Sequence, residues 1–185
     1  MSLLIDAAWC KEHGAYPLDG RLNELFDHPH TLQEVLTRWD GLWAGVRYYD
    51  RIWVLTRPGV LNDSQLREWL ARLVERALAR IPGADPSSVA VIGALRHAGR
   101  IPIDVICEAE EVYSAGPASD ASWAAGAAWL AAVYANPFFG WPLGCSWYAV
   151  SAARSVSAAR SAASGADPEY EAQIKDALEI LEKNP

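Results

Sequence analysis

Residues 118–163 hold sixteen alanines and only three charged side chains, Asp120, Arg154 and Arg160. This stretch restricts the folds open to the chain more than any other. Two helices are expected in it, from about Ser119 to Asn136 and from about Cys145 to Ser164. The first places Trp123, Ala127, Leu130 and Tyr134 on one face; the second places Cys145, Ala149, Ala152, Val156, Ala159 and Ala163 at alternating spacings of four and three. An alanine stripe lets helices approach closely but buries little area. At ~25 cal/mol per Å² the tryptophans and leucines of neighbouring helices must supply most of the apolar stabilisation.

The run from 121 to 153 carries no charge and exceeds the ~20 residues that a membrane-spanning helix needs. Asn136-Pro137 and Gly140-Trp141-Pro142-Leu143-Gly144 interrupt it, serines 146, 151, 155 and 157 dilute its second half, and no dense Lys/Arg cluster flanks it. The expectation is a buried helical hairpin of a soluble protein rather than a membrane hairpin.

Helix signals dominate elsewhere. Thr31-Leu32-Gln33-Glu34 reads as a capping box opening a helix to about Trp39. Another helix opens at Asn62-Asp63-Ser64-Gln65 and runs Leu66, Trp69, Leu70, Leu73, Ala77 and Ile81 at helical spacing, with Glu68 and Arg72 paired, until Pro82-Gly83. Asp85-Pro86 and Asp167-Pro168 each read as a cap followed by proline in the first helical position. The last helix aligns Tyr170, Ile174, Ala177 and Leu181 and should carry Glu171–Lys175 and Glu179–Lys183 pairs. Arg47 to Arg57 has strand propensity but lies among helices; helix is preferred there, with strand kept open. Asn23 to His30 and Ala15 to Gly20 read as loops.

With 185 residues and 51% apolar composition the chain can bury one core. The fold class expected is all-α: a compact multi-helix domain over 1–185, with an alanine-rich helical hairpin at about 118–164 and a closing helix at about 167–183. Three cysteines without C-x-x-C spacing (Cys10, Cys107, Cys145) and a start lacking a basic and then apolar leader pattern fit a reduced, cytoplasmic setting. A net charge of −7 speaks against a phosphate backbone as ligand, so nucleic acid is not an expected partner.

The nucleotide, dinucleotide, zinc-protease and esterase motifs are absent, and no histidine has Glu three residues earlier, as a di-iron bundle requires. Cys10 and His13 share a helix face, and His28-Pro29-His30 could add two metal ligands across a loop. Such a C-x-x-H pair arises easily by chance, and the other reading is a buried thiol beside a helix ended by Gly14. No metal, cofactor or catalytic residue is assigned.

Asp104, Glu108 and Glu111 recur at i, i+4 and i+7 on a helix expected from Ile103 to Ser114, with Glu110 nearby. They can form a solvated face, pair with Arg154 and Arg160, do acid/base work, bind a cation, or meet a basic protein surface. Phe138, Phe139 and Trp141, in the loop between the alanine-rich helices, are the apolar candidates for partner contact, or else a plug over the core.

Glu12-His13-Gly14-Ala15, the tryptophan-bearing segments around Trp39 and Trp53, Leu66-Arg67, Glu75-Arg76-Ala77-Leu78, the alanine-rich helices and a terminal helix with Gln173 and Leu178 together resemble the Imm-5-like immunity proteins of bacteria and phages. The resemblance implies an α-helical protein that neutralises a cognate toxin by binding it, without chemistry of its own. An acidic inhibitor suits a basic toxin such as a nuclease, because complementary charge speeds encounter. Two other classes stay open. One is an enzyme or metal protein assembled from distant residues such as Cys10, His13, His97 and Glu108 to Glu111; the other is a phage-derived structural protein that self-associates into a homo-oligomer.

Overall fold

The capping box expected at Thr31–Glu34 closes in the computed structural model of the chain, and a second forms at Asn62–Gln65. The Thr31 hydroxyl accepts from the Glu34 amide at 3.2 Å while the Glu34 carboxylate accepts from the Thr31 amide at 2.7 Å. Asn62 and Gln65 reciprocate in the same way at 2.9 and 2.8 Å. Each exchange satisfies amides that the first helical turn leaves without partners. The structure describes residues 3–14, 22–38, 43, 46, 48–79, 86–97, 101–115, 126, 128, 129, 131–133 and 168–183.

In chain order the described elements are β1 (Leu4–Ile5), α1 (Ala7–Glu12), α2 (Leu22–Leu25), β2 (His30–Thr31), α3 (Leu32–Thr37), α4 (Tyr48–Leu55), α5 (Asp63–Leu78), α6 (Pro86–Arg96), α7 (Ile103–Ala115) and α8 (Pro168–Lys183). Helix accounts for 76% of the described residues, so the fold is all-α with one small antiparallel ribbon. Helical backbone recurs at 126, 128, 129 and 131–133 inside the first expected alanine-rich helix, with Ala128, Ala131 and Ala132 fully buried. The second alanine-rich helix lies outside the described residues. No helix among the described residues is long and apolar enough to cross a membrane.

Within the segment from Arg47 to Arg57, Tyr48–Leu55 is helical, and the strand-prone residues Ile52, Val54 and Thr56 are buried. Tertiary burial decides here over local β-propensity. The loop expected at 23–30 needs correction at both ends. Residues 23–25 belong to the single turn α2, and His30 lies in β2, where it faces Ile5 across the ribbon. A two-residue pairing has no periodicity for a sequence pattern to reveal.

The α5 helix sits at the centre, packed against α6 and α8, while α6 also contacts α7 and α8 also contacts α4. Its buried surface is broader than the expected stripe. Ala71, Val74 and Leu78 join Leu66, Trp69, Leu70, Leu73 and Ala77 because helices cover it from more than one side. Arg67, on α5, donates to the carbonyls of Ala94 and Leu95 at 3.0 and 3.1 Å and to that of His97 at 3.1 Å. It thereby caps the C-terminal end of α6, whose last carbonyls need donors and favour a cation.

A second, smaller core joins Ile5, Cys10, Leu25, Phe26, Val35, Trp43, Val46 and Val54. It is braced by Arg51, a fully buried guanidinium that donates to the carbonyls of Val35, Arg38 (2.6 Å) and Trp43 (3.2 Å). The end of α1 follows expectation: Gly14 has a φ of +72°, a left-handed conformation that a residue with a Cβ adopts only under strain.

Candidate functional site

Ile106 and Ala109 are buried on α7, three residues apart, and fix which side of that helix meets α6. The consequence for the remaining positions is geometric. Asp104, Glu108, Glu110 and Glu111 are all exposed. None of the four makes a hydrogen bond or ion pair among the described residues. Arg154 and Arg160, considered as their partners, lie outside the described residues, as do Phe138, Phe139 and Trp141.

Charges elsewhere on the helical core behave differently. Arg96 holds Glu68 at 3.0 Å and Glu75 at 2.8 Å; Arg72 holds Glu68 at 3.1 Å, Glu179 at 3.3 Å and Asp176 at 3.5 Å; Arg76 holds Asp176 at 2.8 Å. The three arginines and four carboxylates form one network across α5, α6 and α8. Burial tends to raise the Glu68 carboxyl, but hydrogen bonds from Arg96 and Arg72 outweigh it and bring the group below its ordinary value. Glu179 thus faces Arg72, a longer-range partner than the Lys183 that helical spacing suggests.

Among the described residues the α7 face has no such compensation. The helix contains no Lys or Arg. Like charges at i, i+4 repel, and Glu110 and Glu111 stand toward the helix end whose dipole disfavours anions. Each effect is a few tenths of a kcal/mol at an exposed position. The arrangement is a mildly self-repelling anionic strip, suited to a cationic surface.

A different cluster forms where the chain leaves α2 and enters β2. Asp27, His28 and His30 bring one potential metal-binding atom each within 4.8 Å of one another. Asp27 Oδ1 lies 2.6 Å from His28 Nδ1 and 4.0 Å from His30 Nε2. The His30 ring is held edge-to-face by Phe26 and Trp43 at centroid distances of 5.8 and 5.3 Å, and the His28 ring lies against it at 4.2 Å. Pairing in the ribbon fixes its backbone, so the ring has little freedom to move.

Cys10 and His13, the other two candidate ligands, do not join this cluster. Burial, with the nearby Asp6 charge second, pushes the Cys10 thiol up to about 12, so it stays protonated at neutral pH and is a poor ligand or nucleophile. His13 stacks on Trp9 at 4.1 Å and places Nδ1 2.8 Å from the Trp9 carbonyl. His97 similarly turns Nδ1 to the Gly93 carbonyl of its own helix at 2.6 Å. Sequence reasoning found the two loop histidines but not Asp27. The signal was its position immediately before His28-Pro29-His30, a run of three potential ligands in four residues.

No family model, curated protein or solved structure matches this chain.

Proposed function

We propose that the protein is a non-catalytic binding module that engages a basic protein partner through the exposed acidic face of α7. One observation carries this reading: Asp104, Glu108, Glu110 and Glu111 are solvent-facing and have no ion-pair partner among the described residues, whereas the carboxylates of α5 and α8 named above are tied to arginines. A helix that tolerates self-repulsion on its outer face has a use for the field it creates, and complementary charge raises association rates and suppresses wrong partners. The resemblance to Imm-5-like immunity proteins casts the partner as a basic toxin neutralised in the cytoplasm.

The test compares the full chain with a variant carrying Glu108→Lys and Glu111→Lys as baits in native host lysate, at low and at high salt. A basic protein retained by the parent at low salt, released at high salt and not retained by the variant supports the proposal. Equal capture by both baits, or no captured basic protein, rejects it.

A further inference from the structure

The Nε2 atom of His30 is buried, with its residue 2% exposed, and has no hydrogen-bond partner. A buried polar nitrogen without a partner is uncommon, because leaving water without a replacement bond is unfavourable. Asp27 Oδ1 stands 4.0 Å away, too far for a hydrogen bond. Asp27 and His28 themselves are 68% and 62% exposed. The cluster therefore has a rigid, buried imidazole as its floor and two accessible, adjustable ligands as its rim.

We infer that Asp27, His28 and His30 form a binding site for a single divalent transition-metal cation of the zinc class. Two imidazole nitrogens and one carboxylate oxygen are a donor set that Zn²⁺ accepts, whereas Mg²⁺ and Ca²⁺ favour all-oxygen shells. Ligand atoms ~2.0–2.1 Å from a tetrahedral ion stand roughly 3.4 Å apart. The observed 2.6 and 4.0 Å bracket that spacing. A cation entering from the solvent side takes the place of the hydrogen between Asp27 Oδ1 and His28 Nδ1, with the His28 ring carrying its proton on Nε2 instead, and gives His30 Nε2 the partner it lacks. Only the two exposed side chains need to shift. Water fills the remaining coordination position. The bound ion ties the connection after α2 to the β1–β2 ribbon, which is its structural consequence here, and it is independent of the α7 face.

The test uses the full chain, stripped with chelator and titrated with Zn²⁺ against a chromophoric competitor, alongside His28→Ala and Asp27→Asn. Both substitutions are at exposed positions, so the metal-free variants should keep the parent's circular dichroism and melting temperature. The expected result is one Zn²⁺ per chain in the micromolar range or tighter, a Tm that rises with Zn²⁺ in the parent, and affinity lower by ~tenfold or more in each variant, with little rise in its Tm. No saturable micromolar binding, or binding equally tight in both variants, overturns the assignment.

Discussion

The indole Nε1 of Trp69 donates a 3.0 Å hydrogen bond to the backbone carbonyl of Gln173, 104 residues further along the chain. Trp69 is fully buried in the main core, and α5 and α8 meet around it. The contact fixes the closing helix by a directional bond as well as by apolar area, and so sets which turn of α8 lies against which turn of α5. Trp69→Phe keeps most of the ring but removes the donor and leaves a small void. A loss of about 2–4 kcal/mol is expected from the hydrogen bond and the void together. Urea unfolding should show a lower midpoint at unchanged slope. A change within about 0.5 kcal/mol would mean that α8 does not depend on this seam.

Arg51 presents a different kind of buried bond. Its guanidinium reaches three carbonyls, those of Val35 and Arg38 toward the end of α3 and that of Trp43 beyond it, and lies 5.8 Å from the Trp43 ring centroid. A planar fork can serve diverging acceptors, but an ammonium is a single point of charge. Arg51→Lys should therefore destabilise by about 2–4 kcal/mol although it conserves charge, in line with the cost of losing charge-assisted bonds to buried acceptors. Thermal unfolding of the variant gives the direct comparison. Lysine supporting the same Tm as arginine would show that charge alone, and not the fork, braces the smaller core.

These two residues mark how far the sequence could be read. Capping at Thr31 and Asn62, proline at the start of α6 and α8, and the apolar spacing of α5 are local signals, because caps and helical faces are decided within four residues of chain. That Asp104, Glu108 and Glu111 share one side of α7 was legible for the same reason, but that this side is exposed was not, because it depends on which side packs against α6. Arg51 was not, because composition places arginine at the surface and its acceptors lie 8 to 16 residues away in chain segments whose paths no pattern reveals. Nor was the placement of His30, since pairing with Ile5 and packing between Phe26 and Trp43 are all non-local. The histidines could be noticed in sequence; the orphaned nitrogen required the fold.

The arginine network predicts how stability responds to acid. Glu68 is half-buried and bonded by Arg72 and Arg96, and its carboxyl lies below the ordinary value of 4.5. A group depressed in the folded state contributes stability that is complete above its unfolded value and is lost as pH falls through its folded value. The parent's Tm should therefore hold near neutrality and decline once the pH drops below about 5. Glu68→Gln removes this contribution from the start. It should melt below the parent at pH 7, and the gap should narrow as the pH approaches 3, where the parent's own Glu68 takes up a proton. Because the side chains are partly exposed, added salt should also shrink the gap at pH 7. Melting followed by circular dichroism from pH 7 to pH 3 makes the measurement. A gap of constant size across that range would place the acid sensitivity in carboxylates other than Glu68.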